Sequence, residues 1–216
     1  MQFFLRLLVF LPVLYLASPA AAASARVVPA PPRMVALSFN DGPDGRFTSA
    51  ILRQLAAGGD QATFFLNGRE LESDPAWLLE IGQVGCEVGN HGLSHDDARS
   101  LSSVRDGIAR AQQALTVTGI PVRLYRPQAG VPLEAARRLA HAAHLTAVLF
   151  NRGSDPGWLS LEEAARLAAA IQPGDIISLS DSENGYRALI LLQRALHAQG
   201  LHAVTVSRLL ASVGGR

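Results

Sequence analysis

Along the chain, short runs of apolar and β-branched residues alternate with longer stretches whose apolar positions recur every three or four residues, the periods of strands and amphipathic helices. Seven runs read as strands, each closed by a turn signal: "MVALSF" from Met34, "ATFFL" from Ala62, "CEVGN" from Cys86, "VRLYR" from Val122, "LTAVLF" from Leu145, "DIISL" from Asp175 and "HAVTV" from His202. Helices are expected over "RFTSAILRQLAA", "LSSVRDGIARAQQAL", "LEAARRLAHAAH", "LEEAARLAAAI" and "RALILLQRALHAQ", several with Gly just beyond the last turn. Repeated β-α units with no longer internal repeat imply parallel strands in one domain running from about residue 33 to the end. A closed or nearly closed barrel of such units carries its active site on the loops after the strands' C-terminal ends.

The first 25 residues follow a different pattern. One basic residue, Arg6, precedes the apolar run "LLVFLPVLYL", and Ala-Ser-Ala at Ala23 to Ala25 follows. This reads as a secretory signal peptide, residues 1–25, cut after Ala25 or Ala23. Ten apolar residues broken by Pro12 fall short of the ~20 that span a bilayer, so no stable membrane anchor is expected after cleavage. The expected location is periplasmic or extracellular. Composition adds that 216 residues, 49% hydrophobic and 17% charged, suffice for a full core. Loss of Arg6 from the 19 basic residues leaves 18 against 18 acidic, with no basic run, which argues against nucleic acid as a partner. Cys86, the only cysteine, sits in an apolar strand without a flanking charge and reads as a small buried residue.

The rule for barrel loops gathers the polar clusters. Asn40 and Asp41 follow the first strand, His91 and His95 the third, Arg126 the fourth, Asp155 and Trp158 the fifth, and Ser180 and Asp181 end the sixth. In "NHGLSH" the two histidines stand four apart and share a face if the segment is helical, as a pair gripping one cation requires. Alone, such a pair is equally a feature of a surface helix. With Asp41 as an oxygen ligand at the neighbouring strand end, it becomes two nitrogens and a carboxylate with positions left open. His141 and His144 lie near a helix C-terminus with no acid close in sequence and read as structural.

The stretches "LSFNDGPD", "ATFFLNG", "EVGNHGLSH", "YRPQAG", "DPGW" and "GDIISLSD", closing with "ALHAQGLHAVTVSRLL", resemble the NodB-homology polysaccharide deacetylases, carbohydrate esterase family 4, over nearly all of residues 33 to 210. The resemblance implies a distorted (β/α)7 barrel over residues 26–216. It also implies metal-dependent removal of acetyl groups from a carbohydrate polymer or oligosaccharide, with a divalent metal, zinc favoured. The family's Asp-His-His triad falls on Asp41, His91 and His95. Its general base falls on Asn40 and its general acid on Ser180, and neither side chain can perform that proton transfer. Arg126 matches the arginine that orients the base, Ala129 offers a backbone oxyanion donor, Asp155 stands in a reduced fourth motif, and Trp158 and Leu179 are expected at the acetyl pocket.

These departures favour ester over amide substrates, because an alkoxide leaves without the protonation that an amine requires. The other reading is a silent member that binds cell-wall or exopolysaccharide glycan. Arg126, deprived of its carboxylate, is expected to turn to another acid, Asp44 or Asp155, or to solvent. Asp44 itself reads as turn chemistry and Asp181 as the cap of a loop.

Overall fold

The structure is a computed structural model that describes residues 33–94, 99–153 and 159–214. The unit Pro31–Arg216 is built on an eight-stranded sheet in which every pairing is parallel. The strands are β1 (Met34–Gly42), β2 (Ala62–Leu66), β3 (Glu87–Asn90), β4 (Leu124–Tyr125), β5 (Thr146–Ala147), β6 (Arg152–Gly153), β7 (Ile176–Ser180) and β8 (His202–Val204). The helices are α1 (Gly45–Gly58), α2 (Gly68–Ser73), α3 (Ala76–Gln83), α4 (Leu101–Thr116), α5 (Leu133–Ala142), α6 (Leu161–Ala169), α7 (Glu183–Ala198) and α8 (Val206–Gly214). Spatial order runs β5-β4-β3-β2-β1-β7-β6, with β8 against the start of β1. This is the (β/α)7 barrel in half-open form: among the described residues no ladder joins β5 to β6.

All seven expected strands are present, together with a two-residue strand, β6, too short to carry any period. The short helices α2, α3 and α8 were not expected, and the run "HAVTV" ends its strand at Val204 because Val206 already begins α8. No helix among the described residues is long and apolar enough to cross a membrane.

β1 reads as continuous apolar sequence because both of its faces are covered. Val35, Leu37 and Phe39 enter the large core beneath the helices, with Ile51, Leu55, Phe64, Leu189 and Leu192. Ala36 turns inward, into the barrel with Phe65, Leu124, Val148 and Val204, where Val206 and Leu209 of α8 close the lower end. Two inward polar groups hold that plug: the Val206 amide donates to Thr63 Oγ1 at 2.8 Å and the Ser207 amide to Glu87 Oε2 at 3.1 Å. Each fully buried Leu or Phe contributes roughly 1.5–3 kcal/mol.

Candidate functional site

The upper end of β1 is irregular. Its pairing with β2 shifts between Asn40 and Gly42, so Asp41 is the extra residue of a bulge, with φ of 71°. A bulge re-aims one side chain, and a positive φ is sparsely populated outside Gly, though Asp tolerates it better than most residues. Asn40 stays in the ladder between Phe65 and Ser180 and is fully buried, while Asp41 reaches the rim. One residue apart in sequence, they serve different surroundings.

The Asp41 Oδ1 atom lies 3.3 Å from His91 Nε2. His91 is fully buried just past β3, and its Nδ1 lies 2.8 Å from the Arg126 carbonyl oxygen. A carbonyl can only accept, so Nδ1 carries the proton, and in the neutral ring Nε2 presents its lone pair towards the carboxylate. Two acceptors facing at this distance are reconciled by a proton or a cation between them. Two ligand atoms each ~2.0–2.1 Å from one ion at a tetrahedral angle stand about 3.3–3.4 Å apart, so the observed pair fits zinc.

The segment after His91 is a loop rather than a helix, because Asn90 Oδ1 accepts from the Gly92 amide at 2.8 Å and closes a tight turn. Gln128 Nε2 donates to the carbonyls of His91 and Ser94 at 3.0 and 2.7 Å and ties residues 91–94 to the turn after β4. The helical face expected for the histidine pair is thus replaced, on the His91 side, by a pinned turn. His95, Asp155 and Trp158 lie outside the described residues. Among those described, no group of three His, Cys, Asp or Glu side chains converges.

Below this rim runs a polar network. Arg126 is 1% exposed; its NH1 donates to Ser38 Oγ at 2.7 Å and Asn40 Oδ1 at 3.0 Å, and its guanidinium stands 4.0 Å above the Phe65 ring and 5.6 Å from that of Phe150. Asn40 Nδ2 donates to Ser178 Oγ at 3.2 Å, and Ser38 Oγ to the Ile177 carbonyl at 2.7 Å. Among the described residues, Arg126 thus meets position 40 through an amide oxygen and Phe65 through its ring face rather than turning to Asp44. Asp44 caps α1, accepting from the amides of Arg46 and Phe47 at 3.3 Å each. Ser180 Oγ sits 2.5 Å from Ser182 Oγ, which in turn accepts from the Gly185 amide at the start of α7. Neither Asn40 nor Ser180 provides a group that exchanges a proton near neutral pH.

Ala129 is exposed in the turn after β4. Leu179 is a correction: it is fully buried in the core beneath the helices, since strand alternation turns it away from Ser178 and Ser180. Cys86 is buried as expected, and desolvation pushes its thiol up to about 11. The sequence reading missed Ser38, Ser178, Gln128 and Thr48. Their signal was available in part, because Ser38 and Ser178 stand two residues before Asn40 and Ser180 and so share their faces.

Asp181 is not a loop cap. It is 5% exposed, with Oδ2 2.7 Å from Thr48 Oγ1, which itself lies 3.0 Å from the Asp44 carbonyl. The Thr48 hydroxyl has one proton for two oxygen neighbours, so a neutral Asp181 that donates to Thr48 satisfies both contacts. Burial raises the Asp181 carboxyl from 3.8 to about 7, against lowering by Thr48 and the Asp44 backbone and with further raising by the Asp44 and Asp41 charges. At the opposite end of the barrel a cavity of about 520 Å³ is lined by Met34, Asp60, Gln61, His202 and Arg208, among others. Its Asp60 is already engaged by Gln193, His197 and the Ala203 amide.

Comparison with known proteins adds relatives in sequence and in fold. Residues 28–148 match the family model described as polysaccharide deacetylase. The chain is 29% identical over 193 residues to a peptidoglycan-N-acetylglucosamine deacetylase of Bacillus cereus, covering 85% of this chain and 91% of that one. It is 30% identical over 155 residues to a chitooligosaccharide deacetylase of Sinorhizobium fredii, covering 68% and 71%. Among solved structures, the family 4 carbohydrate esterase of Streptomyces lividans in complex with acetate superposes with a TM-score of 0.72 at 26% identity, over 81% of this chain and 93% of that one.

Proposed function

Since the chain belongs to the polysaccharide deacetylase family, we propose that it is an exported, metal-dependent hydrolase that removes acetyl groups from a carbohydrate polymer or oligosaccharide, O-acetyl esters in preference to N-acetyl amides. The observation that carries this reading is the Asp41–His91 pair at 3.3 Å, with the imidazole tautomer set by the Arg126 carbonyl. Asp41 and His91, joined by His95, would hold a divalent ion, zinc by ligand type. Such an ion supplies Lewis-acid polarisation of the acetyl carbonyl and lowers the pKa of water towards ~7.

The chain's own residues account for the substrate preference. Asn40, held by Arg126 and Ser178, orients but takes no proton, and Ser180, committed to Ser182, gives none. An ester tolerates the missing acid better than an amide does. Ala129 and Trp158 are proposed to contact the acetyl group, and Asp155 to partner the groove. Export rests on the N-terminal segment of residues 1–25 read above.

The same neutral network favours a second reading, a member that retains the groove for glycan binding without turnover. Zinc-loaded protein assayed on an activated acetyl ester, acetylated xylan and chitooligosaccharides separates the two. Metal-dependent ester hydrolysis with little amide cleavage is expected. Glycan binding without hydrolysis of any substrate by metal-loaded protein would instead establish the silent reading.

A further inference from the structure

Asp181 has no assigned part in the chemistry, yet it touches the loop that carries Asp41. Its amide donates to the Asn40 carbonyl at 2.9 Å, fastening β7 to β1 one residue before the bulge. Its Oδ2 bonds Thr48 in the first turns of α1. A Cβ placed on Gly42 would fall inside contact distance of Asp181 Oδ2, so the carboxyl lies flush against the residue following Asp41. On the other side of the loop, the Asn67 amide donates to the Gly42 carbonyl at 3.0 Å. The backbone just beyond Asp41 is thus held between β7, α1 and the end of β2, in the one place where β1 leaves its ladder with a positive φ.

We propose that Asp181 is a positioning residue for Asp41, gripping the Gly42–Asp44 loop from the end of β7 so that the β1 bulge presents the Asp41 carboxylate to His91. This rests on the reading of Asp41 and His91 as metal ligands. Asp181 does not touch substrate; it acts through loop geometry, and Gly42 has no side chain because the carboxyl occupies that space.

The test compares wild type with Asp181→Asn and Asp181→Ala, reading zinc affinity by chelator competition and the amide resonances of Asp41 and Gly42 by NMR. Asparagine can donate to Thr48 from the same position and fills the same space against Gly42, so D181N should bind zinc close to wild type. D181A should lose about 10- to 100-fold in zinc affinity, the range for removing a group that orients a ligand. Gly42→Ala should weaken binding in the wild-type background and less in D181A, since the contacts with Oδ2 and Cγ are then gone and only that with Cβ at 3.0 Å remains; that non-additivity is absent if Asp181 serves the fold alone. Should wild type bind no zinc, the metal reading fails, and the grip is still read from the Asp41 and Gly42 resonances, which must move in D181A and hold in D181N. Wild-type affinity and unmoved resonances in a folded D181A would overturn the proposal.

Discussion

Asn40 has the shape of an aspartate without the charge, and the structure shows what it meets: its Oδ1 accepts from Arg126 and its Nδ2 donates to Ser178, while Arg126 also donates to Ser38 and lies over the rings of Phe65 and Phe150. A positioned base or acid contributes about 10²–10⁴ in rate. Asn40→Asp should therefore raise hydrolysis of an activated acetyl ester by at least about tenfold, with little effect on an amide. Chitooligosaccharide deacetylation should become measurable only when Ser180→His is added. Four proteins on two substrates at equal metal loading decide this; a wild type that cleaves the amide as fast as the double variant contradicts it. At the same scale, elemental analysis should find one zinc per chain in wild type after dialysis and much less in His91→Ala.

At the scale of elements, two glycines distinguish conformational from packing demands. Gly59 ends α1 with φ of 68° and has open space around its missing Cβ, so Gly59→Ala should cost only the left-handed backbone term, about 1 kcal/mol. Gly68, at the start of α2, lies against Ala111 of α4, where an added Cβ would come within 2.6 Å of the Ala111 Cα. Overpacking of this kind costs about 1–3 kcal/mol, so Gly68→Ala should be the more destabilising in urea titrations. An equal loss in both would mean that α2 shifts freely off α4. These short helices were invisible to periodicity because six to nine residues contain too few turns to show it.

For the molecule as a whole, Asp181 couples stability to pH. Its folded-state carboxyl titrates near 7 and its ordinary value is 3.8. Between these values the unfolded chain has released the proton that the folded chain retains, so stability is greatest below about pH 4, falls as pH rises to about 7 and then levels. The slope contributed is up to about 1.4 kcal/mol per pH unit, with Asp44 and Asp41 the charges that face this group. Urea unfolding of metal-free protein from pH 4 to 8 should show the slope in wild type and a flatter line in Asp181→Asn. Identical slopes would place the dependence elsewhere.

Local pattern determined the strands, the larger helices and the parallel barrel, and it marked Asp41 and His91 as candidates that the structure brings to 3.3 Å, because strand and helix periods, turn residues and motif order are properties of neighbours in the chain. Only the tertiary structure decided what those residues meet. Arg126 reaches Asn40 across 86 positions and Asp181 reaches Thr48 across 133, and both contacts depend on strand order and register rather than on local spacing. The bulge that parts Asp41 from Asn40 arises from the ladder with β2, the burial of Leu179 from its parity in β7, and the turn at His91 from Asn90. A sequence names the groups at a strand's end; the pairing of strands determines which face each group takes, and so whether it binds, orients or packs.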